Sequence, residues 1–269
     1  MGFIKNTIKT YKDLKNQTLK NICIIPKIIF RTGRYNVHEL PKEVIELYEN
    51  EMANNPEYTL YYFDDKDVDD FVILEYGILM FDWMSKLIPK AFQADFFRYL
   101  ILYKYGGIYL DFTMHLLVPF DEILKEHKEV FVRDTCDLCG IYNAFIAVQP
   151  NAQLIGEAIQ KVIQNIKNKY KGVSALDVTG PTMLGRIFKD KFNIGFYDWI
   201  PIGELGDGIY LYSNPDNEFI VDGDKHIIKN RIDNHYEITY EEKLHPLVPE
   251  MKPLNHYSRL WAEDKIFKN

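Results

Sequence analysis

The stretch from Ala91 to His115 constrains the fold more than any other part of the chain. Phe92, Phe96, Tyr99 and Tyr103 recur at helical spacing and make one apolar face. Gly106 and Gly107 follow, and glycine accepts the left-handed backbone on which helices often end. Ile108, Tyr109 and Leu110 then read as a short buried strand, with Asp111 directly at its carboxyl end. Open α/β sheets bind their ligands at that end of their strands. Asp95 and Arg98 lie three residues apart on the preceding helix, so they are neighbours on its surface. That helix is apolar nearly all round and is expected to be buried, and a charge on a buried helix needs a reason.

Elsewhere strands and helices alternate. Residues 24–30 read as a strand, 41–52 as a helix, and 58–63 as a second strand followed by Asp64 and Asp65, either of which suits a helix cap. Strands are expected at 114–118, 130–133 and 145–148, with helices at 121–128, from Pro150 to about Lys169, and after the turn Thr179-Gly180-Pro181. Residues 196–237 read as short strands and turns. The pattern predicts an α/β fold with a mostly parallel, Rossmann-like sheet flanked by helices and a small C-terminal strand-and-turn region. The expected organisation is an N-terminal basic helix or arm over 1–20 and a single domain over 21–269. No GxGxxG opens the first helix and no Walker A motif occurs, so dinucleotide and P-loop chemistry are unsupported.

With 32 Lys and Arg against 39 Asp and Glu, the chain carries a formal charge of -7, which argues against nucleic acid as a partner. A nucleotide remains open, because a metal can handle its phosphates. Of three cysteines, Cys136 and Cys139 form a CxxC without a second ligand pair, which reads as two buried thiols rather than a zinc site. No signal peptide or membrane-length apolar run is visible. Lys5, Lys9, Lys12, Lys15 and Lys20 alternate with apolar residues, so residues 1–20 could rest on an acidic membrane surface. The plainer reading packs them on the domain. The expected location is cytoplasmic, with membrane contact at most peripheral.

Ala91, Ala94, Asp95, Arg98, Tyr99, Leu102, Tyr103, Gly106, Gly107, Tyr109 and Asp111 together resemble the core of the retaining, GT-A type glycosyltransferases with a DXD sugar-nucleotide motif. This is the group of capsular-polysaccharide glycosyltransferases and the fungal initiating α-1,6-mannosyltransferase, with the clostridial glucosylating toxins as distant relatives. Residues 25–33 resemble the family's opening strand, with Phe30 and Gly33 where the family has His and Trp. The resemblance implies transfer of a hexose from a nucleotide sugar to a glycan or lipid-linked acceptor, with retention of configuration. It implies that Asp111 binds Mn²⁺ or Mg²⁺, that Asp95 and Arg98 reach the donor sugar or nucleotide, and that Thr32, Tyr109, Asn143, Gly180 and Trp261 line the donor site. It also makes His256 a metal or phosphate ligand.

One departure matters. Thr113 stands where the family has its second Asp, and a neutral hydroxyl is a poorer metal ligand. The metal could be completed by a C-terminal residue, phosphates and water, which is the favoured reading, or by His115, or it could be weakly held. The last case motivates the alternative of a catalytically weak or inactive nucleotide-sugar-binding relative. A metal phosphohydrolase would need a cluster of acidic ligands that the sequence lacks. No carboxylate stands out as a covalent nucleophile, so retention would proceed by front-face attack with the leaving phosphate as base.

Overall fold

A computed structural model describes residues 8–15, 24–112, 114–135, 140–230 and 256–268. Thr113, Cys136 and Cys139 lie outside them. The chain begins with strand β1 (Ile8–Lys9), helix α1 (Tyr11–Lys15), β2 (Ile28–Thr32), α2 (Lys42–Ala53) and β3 (Thr59–Phe63). Then follow α3 (Asp65–Tyr76), α4 (Ile78–Ser85), α5 (Lys90–Tyr105), β4 (Gly107–Leu110), β5 (His115–Leu116) and α6 (Phe120–Leu124). The remaining elements are β6 (Glu129–Arg133), β7 (Phe145–Val148), α7 (Gln153–Lys167), α8 (Pro181–Phe192), β8 (Gly203–Gly206), β9 (Ile209–Ser213), β10 (Phe219–Asp222), β11 (Lys225–Lys229) and α9 (Tyr257–Ala262).

The strands form one mixed sheet in the order β1-β3-β2-β4-β7-β6-β9-β10-β11-β5, with β8 beside β9. The expected parallel block is β1-β3-β2-β4. Beyond β4 the sheet turns mixed: β7 is antiparallel to both β4 and β6, while β6 and β9 run parallel. The strand expected over 114–118 contracts to His115–Leu116, which joins the far edge through β11.

Both faces of the central strands are covered, which is why they read as unbroken apolar runs. Phe30, Tyr61, Phe63 and Tyr109 point to the face covered by α3, α5, α7 and α8. Ile29, Leu60, Tyr62, Ile108 and Leu110 point to the face covered by α2 and α6. The described N-terminal residues pack on the domain: Tyr11 and Leu14 are buried, and β1 extends the sheet beside β3. Of the helix or arm expected over 1–20, residues 8–15 are described: Ile8 and Lys9 are strand through pairing with β3, and Tyr11–Lys15 is helical. No helix among the described residues is long and apolar enough to cross a membrane.

The chain reverses direction across the sheet at β2, with β3 on one side and β4 on the other. Such a reversal leaves a crevice at the carboxyl ends of the two strands. Gly106 and Gly107 set the approach to it. Both have positive φ (63° and 94°), and an added Cβ would stand 2.6 Å from the Pro150 nitrogen or 2.7 Å from the Ile28 carbonyl oxygen. No other residue lets helix α5 turn straight into β4 against these neighbours.

Candidate active site

The crevice is a cleft of about 470 Å³. Thr32 from the end of β2, Asp111 and Phe112 after β4, and Asp134 after β6 form its floor. Ala91, Phe92, Ala94, Asp95 and Arg98 of α5 form one wall, and Tyr142, Asn143, Leu176, Pro181, Asn217 and Tyr257 are among the other lining residues.

Arg98 is the centre of the charge arrangement. Its Nη2 lies 3.0 Å from Asp95 Oδ1 and 3.5 Å from Asp111 Oδ1, and its plane sits 4.5 Å from the Tyr109 ring centroid. Its Nη1 donates to the Asn143 carbonyl. Burial alone would lower the guanidinium pKa, but the negative charges of Asp111 and Asp95 raise it above its ordinary value. Arg98 is therefore a permanent cation at the bottom of the cleft.

The two carboxylates differ. Asp95 Oδ1 also accepts from Asn143 Nδ2 (2.9 Å), and Oδ2 accepts from Thr179 Oγ1 (2.8 Å). Burial raises its pKa, against the opposing pull of Arg98, Thr179 and Asn143. A Cβ at Gly180 would come within 3.3 Å of Asp95 Oδ2, so the glycine leaves room for this carboxylate. Asp111 has a side chain 38% exposed, against 13% for Asp95, and faces the open cleft. Burial raises the Tyr109 phenol well above its usual value, so it stays neutral beside them.

Among the described residues, the charged side chains lining the cleft are thus Asp95, Asp111 and Asp134 against Arg98. Three carboxylates and one cation would repel a bare diphosphate. A divalent cation reverses that balance and takes hard oxygen ligands, which suits Mg²⁺ or Mn²⁺ bound by one or two carboxylates plus phosphates and water. The residues present are compatible with such a partial site, Asp111 being the carboxylate that faces the open cleft. No group of three His, Cys, Asp or Glu side chains forms a ready-made cage among the described residues.

The structure brings Thr32, Asp95, Arg98, Tyr109, Asp111 and Asn143 together in the cleft, with Gly180 behind Asp95. It places three other expected residues differently. His256 caps α9, its ring nitrogen accepting from the Ser258 amide, and lines no part of the cleft. Trp261, a turn further on, donates from Nε1 to the Lys171 carbonyl at 2.7 Å. Tyr257 is the α9 residue that meets the cleft. His115 does not face Asp111, because its Nδ1 lies 3.2 Å from Glu51 on the α2 side of the sheet. Asp134, Tyr142, Asn217 and Tyr257 were not anticipated. Asp134 directly follows a strand, as Asp111 does, and the same rule could have found it.

Residues 41–130 match the family profile described as a glycosyltransferase sugar-binding region containing a DXD motif. A mannosyl phosphorylinositol ceramide synthase of Saccharomyces cerevisiae is 28% identical over 62% of this chain and 43% of its own. The initiation-specific alpha-1,6-mannosyltransferase of Candida albicans is 34% identical over 39% of this chain and 28% of its own. The chain therefore spans less than half the length of these curated relatives. Among solved structures, the PaToxG glycosyltransferase aligns over 62% of this chain and 70% of its own, at 18% identity and a TM-score of 0.45. The matched stretch, 41 to 130, carries Asp95, Arg98 and Asp111.

Proposed function

We propose that the cleft transfers a hexose, with mannose the first candidate, from a nucleotide sugar to a glycan or lipid-linked acceptor. The carrying observation is the Asp95–Arg98–Asp111 cluster at the switch point of the sheet. The mannosyltransferases among the relatives support the choice of sugar and acceptor class.

Bound metal would neutralise charge on the diphosphate leaving group. The chain's own residues do the rest. Asp111 would hold that metal at the mouth of β4. Arg98, fixed by Asp95 and the Asn143 carbonyl, presents a permanent positive charge to the sugar or phosphate as the glycosidic bond weakens. Asp95 keeps lone pairs free after its three protein contacts and can accept from a sugar hydroxyl, which sorts one hydroxyl pattern from another. No second free carboxylate stands beside Asp111 as a nucleophile among the described residues lining the cleft, because Asp95 and Asp134 are both held by donors. With retention, as the family resemblance implies, this favours front-face attack over a covalent glycosyl-enzyme route.

The test is donor turnover across GDP- and UDP-hexoses with Mn²⁺ or Mg²⁺, with and without glycan or lipid acceptors. Asp111→Asn should lower turnover about a hundredfold or more, the scale for losing one placed electrostatic group. Its melting temperature should hardly change, because the side chain is part-exposed. Unchanged turnover in Asp111→Asn would remove it from the reaction. Tight nucleotide-sugar binding without turnover on any acceptor would favour the inactive relative that Thr113 suggests.

A further inference from the structure

Behind the cleft, on the α2 side of the sheet, a fully buried arginine grips the turn that carries Asp111. Arg31 Nη1 donates to the carbonyls of Asp111 (3.0 Å) and Met114 (3.0 Å), with a weaker third contact to Phe112 (3.4 Å). Its Nη2 donates to Glu51 Oε2 at 2.7 Å, and both side chains are almost wholly buried. Glu51 Oε1 accepts from the Leu116 amide at 3.0 Å. Tyr48, one turn earlier on α2, donates to the Phe112 carbonyl at 3.0 Å, and its ring lies 4.3 Å from the guanidinium. The turn is thus pinned at its start by Arg31 and at its exit by Glu51.

We propose that Arg31, neutralised by Glu51, is a positioning residue that sets the backbone at Asp111, Phe112 and Met114 and through it aims the Asp111 carboxylate into the cleft. The physical reason is geometric. Carbonyls leaving a sheet edge in a dry interior must be paired, at a penalty otherwise of about 1–3 kcal/mol each. The planar guanidinium holds Nη1, which takes the carbonyls, at a fixed angle to Nη2, which takes Glu51, and so fixes the turn relative to α2, which an ammonium cannot. Arg31 and Glu51 line no part of the cleft. Their effect on a reaction there has to pass through Asp111. The inference rests on the function proposed above only for its activity readout.

The informative variant is Arg31→Lys, which keeps the charge opposite Glu51 and removes the fork. Three measurements apply: melting temperature, hydrogen exchange of the peptide spanning 110–117 against that spanning 93–105, and donor turnover at a temperature where the variant is fully folded. Exchange should accelerate in 110–117 and stay unchanged in 93–105. Turnover per folded molecule, as kcat/KM, should fall about tenfold or more, since displacements near 1 Å can be worth a hundredfold. A lowered melting temperature with unaltered local exchange and kcat/KM within twofold of wild type would make the pair scaffold only and overturn the proposal. If the wild type turns over no nucleotide sugar, the proposed function fails while the exchange comparison still decides the clamp. Should Arg31→Lys not fold, Glu51→Gln carries the same comparison. It keeps an acceptor for Nη2 and should show the same local acceleration to a smaller degree; unaltered exchange there also overturns the proposal.

Discussion

Glu129 offers a quantitative test of the core. It is the first residue of β6, at the amino end of the strand and so at the opposite end from the cleft. Its Oε2 is buried without a hydrogen-bond partner. Burial pushes its pKa from 4.5 up to about 7, with Asp207 adding to the rise and Lys191 and Gln149 opposing it. A carboxyl raised in the fold favours folding fully below its unfolded pKa, and that contribution is lost as pH rises through the folded value. Each pH unit between the two values is 1.36 kcal/mol, so by pH 8 ionisation weakens the fold by about 3 kcal/mol. Glu129→Gln keeps the shape and removes the ionisation. Allowing for the amide's own desolvation, it should gain about 1–3 kcal/mol at pH 8, a rise of roughly 3–8 °C in melting temperature. At pH 5 the wild-type group is already neutral in the fold, and the gain should nearly vanish. Calorimetry or fluorimetry at the two pH values decides it. An equal shift at both, or a drop at pH 8, would refute the argument. Turnover should be unaffected, because the residue is remote from the cleft.

Arg98→Ala should lower both stability and turnover, since it leaves the buried Asp95 carboxylate uncompensated at about 3–5 kcal/mol; urea midpoints and kcat/KM per folded molecule read the two effects separately. Gly107→Ala should destabilise by more than about 1 kcal/mol, because the backbone has φ 94° and the new Cβ meets the Ile28 carbonyl; a wild-type denaturation midpoint would contradict this. Thr113→Asp should tighten Mn²⁺ in the presence of GDP or UDP by adding a charged oxygen; equal or weaker affinity would mean the site is built around the threonine.

Much of the fold was legible because burial on both sheet faces writes itself as apolar runs. β2, β3, β6 and β7 fall within a few residues of where those runs predict them. Asp64 caps α3 through the Asp67 amide, as the residue type suggests. What the sequence did not show depends on contacts made far away. β1 is two residues long and exists only through its register with Leu60 and Tyr61. The split between α3 and α4 turns on Gly77, whose φ of 86° no periodicity reveals. The mixed half of the sheet follows from β7 returning antiparallel beside β4, a choice of partner rather than of local conformation.

The site divides along the same line. Asp95 and Arg98 announce themselves by helical spacing, and Asp111 by a strand end, because each signal is local. Asn217 reaches the cleft from a segment distant in sequence with no marker in its surroundings, and Tyr257 sits beside His256, the residue the resemblance had marked instead. Arg31 is the instructive middle case. An arginine inside Ile28-Ile29-Phe30-Arg31 is a charge in a strand buried on both faces, so the sequence demands a partner without naming it. Glu51 lies twenty residues on in a helix that reads as ordinary surface, and only the fold joins them. The result is a layered arrangement of charge. Glu51 neutralises Arg31, Arg31 fixes the turn, and the turn leaves Asp111 as the most exposed carboxylate of the Arg98 cluster. Asp95, held by Arg98, Asn143 and Thr179, is the cluster's fixed member. Loss of Asp111 should therefore be felt in chemistry and loss of Asp95 in both chemistry and stability, although the two carboxylates sit within 3.5 Å of the same guanidinium.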